Sequence, residues 1–181
     1  MPDRLIFKPV TKARWGDFDA LFEAPGGPKY CWCMAWRTTP AEARETRGAE
    51  RKPLMQQRIV GGMTVGVLGY LGDEPVAWVS VAPRDTYRDL GGPDAKPGEI
   101  IWSLACMYLK RQMRQQGRGA ELIAAAVAYA RKEGATVLEA YPVDPASPSY
   151  RFMGFIPAFE RAGFTEIGTA GTRRQIMRLT I

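Results

Sequence analysis

Residues 99–143 constrain the fold more than any other part of this sequence. Two nearly all-apolar runs, 99–109 and 136–143, lie on either side of a stretch with helical spacing. Apolar runs without alternation are typical of strands that are buried on both faces. Because a helix lies between them, the two strands are expected to run parallel. The sequence therefore predicts a β-α-β unit at the centre of a mixed sheet.

The helix of this unit begins at a glycine-containing stretch. Residues 113–120 read MRQQGRGA, and an apolar stripe at helical spacing follows over 122–130, with Gly134 at its end. Glycine lets the backbone approach a ligand closely. The N-terminus of a helix also presents free N–H groups and the positive end of the helix dipole. The stretch therefore predicts an anion-binding loop, although Gly117-Arg118-Gly119 alone is also compatible with an ordinary loop-to-helix turn.

Two common phosphate-binding motifs do not fit this loop. A dinucleotide-binding fold uses a third glycine for close packing of the helix on the strand and carries its motif after the first strand. Here the third glycine is missing, and the loop follows the fourth predicted strand. A P-loop is excluded because no Gly-Lys-Ser/Thr follows.

The remaining elements are arranged around this unit. A strand is predicted over 5–10, helical segments between 11 and 60, and a hairpin over 64–82. A short helix at 157–162 and a terminal antiparallel pair follow. The order β-α-α-β-β-β-α-β-α-β-β describes one mixed α/β domain over residues 1–181, with no linker long enough to divide it.

The loop and the order of elements resemble the GNAT superfamily of acyl-CoA N-acyltransferases. The family motif, Arg/Gln-x-x-Gly-x-Gly/Ala between the fourth strand and the third helix, matches Arg114-Gln115-Gln116-Gly117-Arg118-Gly119, followed by Ala120. The segment FERAGF (159–164) resembles the closing helix of the family. The resemblance covers nearly the whole chain and implies a GNAT-like mixed α/β sheet, with a central parallel β-α-β unit, splayed strands and flanking helices.

The resemblance also implies that the anion is the pyrophosphate of acetyl-CoA, bound by N–H groups from Gln115 to Ala120. Four nearby side chains would add positive potential: Arg114, Arg118, Lys110 and Arg111. For Lys110 and Arg111, ordinary solvated loop charge is an equal alternative. The pantetheine arm would lie between the splayed strands, with its amides bonded to backbone groups of Met107, Tyr108 and Leu109.

The family's usual acid and base are both missing from this sequence. The backbone N–H of Leu109 resembles the family's oxyanion donor, but the catalytic Glu six residues earlier is replaced by Ser103. The tyrosine that protonates the leaving thiolate in many relatives is replaced by Phe159. Because the chain contains no histidine, acid–base chemistry must use other groups.

Glu139 is the candidate base, acting directly or through a water held by Ser103, because it interrupts an apolar strand. The equal alternative is a charge that faces outward. Tyr150, Tyr141 and Tyr108 are candidates for the acid, and the sequence does not choose among them.

The segment YCWCMAWR, residues 30–37, follows the first helix and in the family borders the acceptor pocket. Trp32, Trp36 and Arg37 are therefore candidate acceptor-binding residues, as is Arg84 after the hairpin. A helix packed by its aromatic residues is an equal alternative for the segment. Cys31 and Cys33 cannot complete a zinc site without histidine, so no metal is predicted. Cys106 is expected to be a core residue.

The composition bounds where and how such a protein works. With 46% hydrophobic residues but no apolar run of roughly 20, the chain is predicted to be cytoplasmic, and its N-terminus lacks a signal-peptide pattern. Three cysteines are too few for a disulfide framework. The net charge of +6 is dispersed, and no nucleic-acid-binding motif is present, which disfavours a nucleic-acid-binding domain.

These observations lead to one functional prediction. The chain is expected to transfer an acetyl group from acetyl-CoA to a primary amine of a small molecule, by direct attack of the amine. The alternatives are a non-catalytic acyl-CoA-binding module and an acetyltransferase of protein N-termini or lysines. We expect neither nucleic acid nor a membrane as partner, and a monomer or homodimer.

Overall fold

The computed structural model of the protein describes residues 4–181, which contain seven β-strands and five α-helices. The strands are β1 (Ile6–Pro9), β2 (Gly66–Leu71), β3 (Glu74–Pro83), β4 (Ile101–Leu109), β5 (Val137–Ala140), β6 (Thr165–Ala170) and β7 (Arg174–Thr180). The α-helices are α1 (Trp15–Glu23), α2 (Pro40–Glu45), α3 (Lys52–Val60), α4 (Gly119–Lys132) and α5 (Ile156–Arg161).

The strands form one mixed sheet in the order β1-β2-β3-β4-β5-β7-β6. Only β4 and β5 pair in parallel, and α4 connects them, whereas the other neighbouring strands in this sheet are antiparallel. The predicted β-α-β unit and the mixed α/β class are therefore confirmed. The second strand is shorter than predicted, because β5 ends at Ala140 rather than at residue 143.

Helices cover both faces of the sheet. On one face α4 packs Leu122, Ile123 and Ala126 against the apolar residues of β2, β3 and β4. On the other face α1 buries Phe18 and Phe22, which stack on each other with ring centroids 4.2 Å apart. Among the helices of residues 4–181, none is long and apolar enough to cross a membrane.

The region between β1 and β2 is less regular than a continuous helix. The helical region was predicted from residue 39 to 60 with interruptions at Gly48 and Pro53. It is divided into α2 and α3 by a 3₁₀ turn at Gly48–Arg51, whereas Pro53 lies in the first turn of α3. Thr39 begins α2 with a capping box to Glu42 and Pro40 in the first turn. The aromatic segment 30–37 forms turns, so the alternative of a packed helix there is wrong.

Candidate functional site

The parallel strands at the centre of the sheet separate. Residues Ile101–Leu104 of β4 pair with Val137–Ala140 of β5, but β4 continues to Leu109 without β5 beside it. Ala105 is an extra residue in β4 between two of its pairings with β3, which makes a β-bulge where the separation begins. The fold therefore leaves a gap beside the second half of β4.

The pairing of β4 with β3 determines which backbone groups face this gap. The N–H of Lys110 donates to the carbonyl of Val76 at 2.9 Å. In an antiparallel pair the bonded positions alternate, so Tyr108 also directs its backbone groups towards β3. Met107 and Leu109 direct theirs towards the gap. This register assigns two residues to the gap instead of the predicted three, because the backbone of Tyr108 is used within the sheet.

The predicted anion-binding loop ends at the N-terminus of α4. Within the described chain, the residue before this helix provides no side-chain cap, so the first N–H groups from Gly119 onward have no partner in the helix. Gln115 and Gly117 have φ angles of 61° and 70°, which turn the backbone of the loop. Apart from its neighbours in the chain and the backbone of α4, a Cβ atom added at Gly117 or at Gly119 would meet no atom of residues 4–181 within 4 Å. The loop is therefore open to a ligand at the end of the helix that favours an anion.

Only part of the positive charge near the loop is available to bind an anionic ligand. The side chain of Arg118 is buried and lies 3.3 Å from the carboxylate of Glu121, and Lys110 pairs with Glu74 at 2.6 Å. Two of the four expected cations thus have acidic partners in the protein. The side chains that stay exposed are Arg111 and Arg114, the latter donating from Nε to the carbonyl of Leu109 at 2.8 Å.

The two residues predicted to act as base and water holder meet in a buried network. Glu139 is fully buried and lies opposite Ser103 in the register of β4 and β5. The hydroxyl of Tyr141 donates to Glu139 at 2.6 Å and lies 2.8 Å from the hydroxyl of Ser103. Arg178 donates from Nε to the same carboxylate at 2.7 Å. Burial and the neighbouring Glu139 hold the pKa of Tyr141 well above its usual value.

This network does not support direct proton transfer by Glu139. Its carboxylate is held by Tyr141 and Arg178, and it lies against Gly92 rather than on the wall of a cavity. Nor is it the outward-facing charge of the alternative interpretation. Arg84 was predicted to bind the acceptor. It lies 3.5 Å from the carboxylate of Glu139 and donates to the carbonyl of Pro93, so its side chain belongs to the network around Glu139.

A cavity opens between residues 28–36 and the central strands β3 and β4, beside the separation of β4 from β5. Seven aromatic residues contribute to its wall: Phe22, Tyr30, Trp36, Trp78, Tyr87, Tyr108 and Phe152. Met107, in the part of β4 that borders the gap, also lines the cavity. No carboxylate of the residues that the structure describes lines this cavity.

The predicted acceptor residues take different positions around the cavity. Trp36 lines it, whereas Trp32 is buried in the aromatic core of the same face. Arg37 lies behind the wall and donates from Nη2 to the carbonyl of Val65 and the hydroxyls of Ser80 and Tyr87, at 2.7, 2.7 and 2.9 Å.

The rim of the cavity holds one of the candidate acids. Tyr150 lies 6.3 Å from Trp36 between ring centroids, and the guanidinium of Arg174 lies over both rings. Burial lowers the pKa of Arg174. The hydroxyl of Tyr150 stays a candidate acid in this position. Phe159, which replaces the family's tyrosine, is fully buried against Phe164.

Sequence reasoning missed the cysteines. Cys31, Cys33 and Cys106 all line the cavity, although Cys106 was expected to be a core residue. Burial raises the pKa of Cys31 to about 11, whereas contacts with Cys106 and Arg37 lower that of Cys33 to about 6. No local pattern relates Cys33 to Cys106, because only the packing of 30–37 on β4 brings them together. Residues 4–181 contain no group of three or more acidic, cysteine or histidine side chains arranged to hold a metal.

The separated strands, the open loop before α4 and the cavity beside them define an acetyltransferase fold. The sequence model of the Acetyltransferase (GNAT) family matches residues 29–155. The chain therefore belongs to the GNAT family and is an N-acetyltransferase. A search of curated protein sequences finds no match.

Solved structures agree with this fold over almost the whole chain. AAC(6')-Ib in complex with paromomycin and acetyl-CoA is 17% identical, with a TM-score of 0.64, and 98% of this chain and 94% of that chain are covered. The GNAT domain of PAT from S. lividans is 16% identical, with a TM-score of 0.63, covering 98% and 90%. PaiA N-acetyltransferase from Thermoplasma acidophilum, in complex with coenzyme A, is 14% identical, with a TM-score of 0.56, covering 98% and 99%.

Proposed function

We propose that this protein transfers the acetyl group of acetyl-CoA to the primary amine of a small molecule, and that residues 1–181 act as one N-acetyltransferase domain. The observation that carries the proposal is that three features meet along the second half of β4. This half has no pairing with β5, its Met107 lines the cavity, and Arg114 of the loop before α4 donates to the carbonyl of Leu109. Several structurally similar proteins were crystallised with coenzyme A or acetyl-CoA, which supports the same cosubstrate here.

The backbone suggests how acetyl-CoA is held. The N–H groups of Gly119 and Ala120 fit the pyrophosphate, and those of Met107 and Leu109 fit the pantetheine arm and the thioester. Leu109 was predicted to donate to the thioester oxyanion. Met107 is the better candidate, because it faces the gap and also lines the cavity. A preorganised N–H at this position would stabilise the charge that develops on the thioester oxygen.

The cavity wall favours an acceptor with an apolar body. Aromatic rings dominate the wall, and no carboxylate of the described residues is present to bind additional cationic groups. Arg174 at the rim adds positive charge. A polycationic acceptor would lose its hydration without gaining an ion pair, which is costly in an apolar cavity. We therefore propose a monoamine with an aromatic or aliphatic body.

Acetyl-CoA is expected to stabilise the folded protein, because a ligand that binds only the native state raises the melting temperature. At 100 times Kd the gain is about 2.7 kcal/mol, or roughly 5–10 °C for a chain of this size. Dephospho-CoA should give a smaller rise if Arg111 or Arg114 contacts the 3′-phosphate. Differential scanning fluorimetry with both ligands measures this. No shift at millimolar acetyl-CoA would contradict the proposed cosubstrate.

A panel of amines tests the acceptor class. We expect 2-phenylethylamine to be acetylated with kcat/KM at least tenfold above that of spermidine, kanamycin or a lysine-containing peptide, measured by chromatography of the acetylated product. A preference for spermidine or kanamycin would contradict the apolar acceptor, and a preference for the peptide would favour the protein-acetyltransferase alternative. Binding of acetyl-CoA without acetylation of any amine would favour the non-catalytic acyl-CoA-binding module.

A further inference from the structure

Arg37 is a buried cation whose charge no carboxylate of residues 4–181 neutralises. It is 4% exposed, and its Nη2 atom donates to three neutral oxygens, the carbonyl of Val65 and the hydroxyls of Ser80 and Tyr87. Its Nε and Nη1 atoms are buried too, and they have no hydrogen-bond partner in the part of the chain that the structure describes. Buried charges are normally paired, because an isolated charge in an apolar environment is costly. The charge of Arg37 is therefore open to an anion from outside the chain.

The two hydroxyls beside Arg37 hold one hydrogen more than the protein uses. The hydroxyl oxygens of Ser80 and Tyr87 lie 2.9 Å apart, and each accepts from Arg37. One hydroxyl donates to the other, so the second hydroxyl hydrogen has no oxygen or nitrogen acceptor among residues 4–181. Burial raises the pKa of Tyr87 to about 12, so its phenol keeps the proton at neutral pH and does not supply the anion. The pair therefore offers one O–H donor with the charge of Arg37 next to it.

This hydroxyl pair lies in the cavity wall, close to the proposed position of the thioester. Ser80 and Tyr87 both line the cavity. In the register of β3 and β4, Val79 lies opposite Met107, and Ser80 is the next residue along β3. Strand spacing in an antiparallel pair then puts the Cα atoms of Ser80 and Met107 roughly 6 Å apart. A group that accepts from the hydroxyl pair is therefore only a few atoms away from an amine that attacks the thioester beside Met107.

A carboxylate fits this position better than a neutral carbonyl or a phosphate. A neutral carbonyl would accept the O–H but would leave the charge of Arg37 unpaired, whereas a carboxylate satisfies both and makes the stronger hydrogen bond. A phosphate would bring a second negative charge. No lysine or arginine of residues 4–181 lines the cavity to pair with that charge. The single charge of a carboxylate matches the single charge of Arg37.

The thiol of Cys33 is the competing anion, because it also lines the cavity. With this thiol in place, however, Nε and Nη1 of Arg37 still have no hydrogen-bond partner among residues 4–181. The geometry therefore favours a partner that the chain itself does not supply. The two possibilities have opposite consequences, since a thiolate beside Arg37 would repel a carboxylate in the cavity instead of binding it.

We propose that Arg37, Ser80 and Tyr87 form an anion site in the cavity wall, and that the acceptor is an α-amino acid with an apolar side chain whose carboxylate occupies this site. The inference rests on the proposed function, because it identifies the amine that the cavity binds. The carboxylate accepts from the hydroxyl pair, and the amine lies towards Met107. Arg37 acts through the two hydroxyls and is a positioning residue. The apolar side chain of the amino acid contacts the aromatic wall.

Two substrates that differ only in the carboxylate test the acceptor class. L-Phenylalanine and 2-phenylethylamine have the same aromatic body and the same primary amine. We expect the wild type to acetylate L-phenylalanine with kcat/KM at least tenfold above that of 2-phenylethylamine, mainly through a lower KM, as is typical of a hydrogen bond to a charged group. Chromatography of the acetylated products measures both rates. An equal or higher kcat/KM for 2-phenylethylamine would overturn the proposal.

Variants of Arg37 separate recognition of the carboxylate from a structural role. We expect Arg37→Gln to raise the KM of L-phenylalanine at least tenfold and to leave that of 2-phenylethylamine within about twofold, whereas Arg37→Lys keeps the preference for L-phenylalanine. Equal effects on both substrates would indicate a structural role and contradict the site. If Arg37→Gln does not fold, Ser80→Ala combined with Tyr87→Phe removes both hydroxyls and should have the same selective effect. Arg14→Gln is the matched control, because Arg14 also donates to a neutral oxygen, the carbonyl of Pro9, but does not line the cavity.

Binding of 3-phenylpropionate and 3-phenylpropanamide measures the anion site without turnover, because neither compound contains the amine. With coenzyme A present, we expect calorimetry to show that the wild type binds 3-phenylpropionate at least tenfold more tightly than the amide, and that Arg37→Gln loses this difference. No difference in the wild type would overturn the anion site. If the difference arises only in Cys33→Ser, the Cys33 thiolate is the partner of Arg37 and the proposal is likewise wrong. If the wild type acetylates no amine but shows the Arg37-dependent difference, the proposed function and the acceptor class have failed, whereas the anion site stands.

Discussion

A Gly119→Val variant is expected to remain folded and to lose measurable binding of acetyl-CoA. Gly119 is exposed at the start of α4, and a Cβ atom there would meet nothing within 4 Å among residues 4–181. The free protein therefore has room for the side chain, and valine is a better helix former than glycine. The branched side chain would occupy the space in which we place the pyrophosphate. We expect the Kd measured by calorimetry to rise at least 100-fold.

Gly16→Val is the matched control for this variant. Gly16 lies in the first turn of α1, is exposed and likewise has no described atom within 4 Å of an added Cβ. It should keep the wild-type Kd. Gly117→Val is less informative, because the φ angle of 70° at Gly117 is unfavourable for valine and the variant should also lose stability. Wild-type affinity in Gly119→Val would show that the pyrophosphate binds elsewhere.

The fold could be predicted from the sequence because its central unit is specified by local patterns. Two apolar runs, a helical stripe and the sequence RQQGRG lie within 45 residues, and each pattern depends only on near neighbours in the chain. The open loop before α4 could be predicted for the same reason, because its glycines and the start of the helix lie within a few residues of each other. What the patterns overestimated was the length of β5, because the sequence does not show where β4 and β5 separate.

The reacting groups could not be predicted in the same way. Glu139 in an apolar strand indicated a functional carboxylate, but Arg178 comes from the last strand and neutralises it, a contact that no local pattern reveals. Trp32 and Trp36 looked equivalent in sequence, yet the left-handed turn at 32–33 buries one and exposes the other to the cavity. Cys33 likewise lines the same cavity as Cys106 only because residues 30–37 pack beside β4.

The network around Glu139 leads to the second large effect that we expect. Glu139→Gln keeps the shape of the side chain but removes its charge, which leaves Arg178 and Arg84 beside a neutral group. Removing one partner of a buried ion pair typically costs about 3–5 kcal/mol. For a chain of this size that corresponds to a fall in melting temperature of roughly 6–20 °C, measured by calorimetry or circular dichroism.

Gly92→Ala tests the same network without changing a charge. A Cβ atom at Gly92 would collide with the carboxylate of Glu139 and force it away from Tyr141 and Arg178, so a comparable loss of stability is expected. Glu99→Gln is the control, because Glu99 lies 3.5 Å from Arg178 but is partly exposed, and its loss should cost less than about 1 kcal/mol.

Activity measured well below the melting temperature separates this structural role from the catalytic one predicted from the sequence. If Glu139 only holds Tyr141 and Arg178, folded Glu139→Gln should keep kcat within about threefold of the wild type at every pH. Loss of a general base would lower kcat by roughly 10²–10⁴-fold, far outside that range. A large loss of kcat in Glu139→Gln with a normal melting temperature would therefore restore the carboxylate as the base.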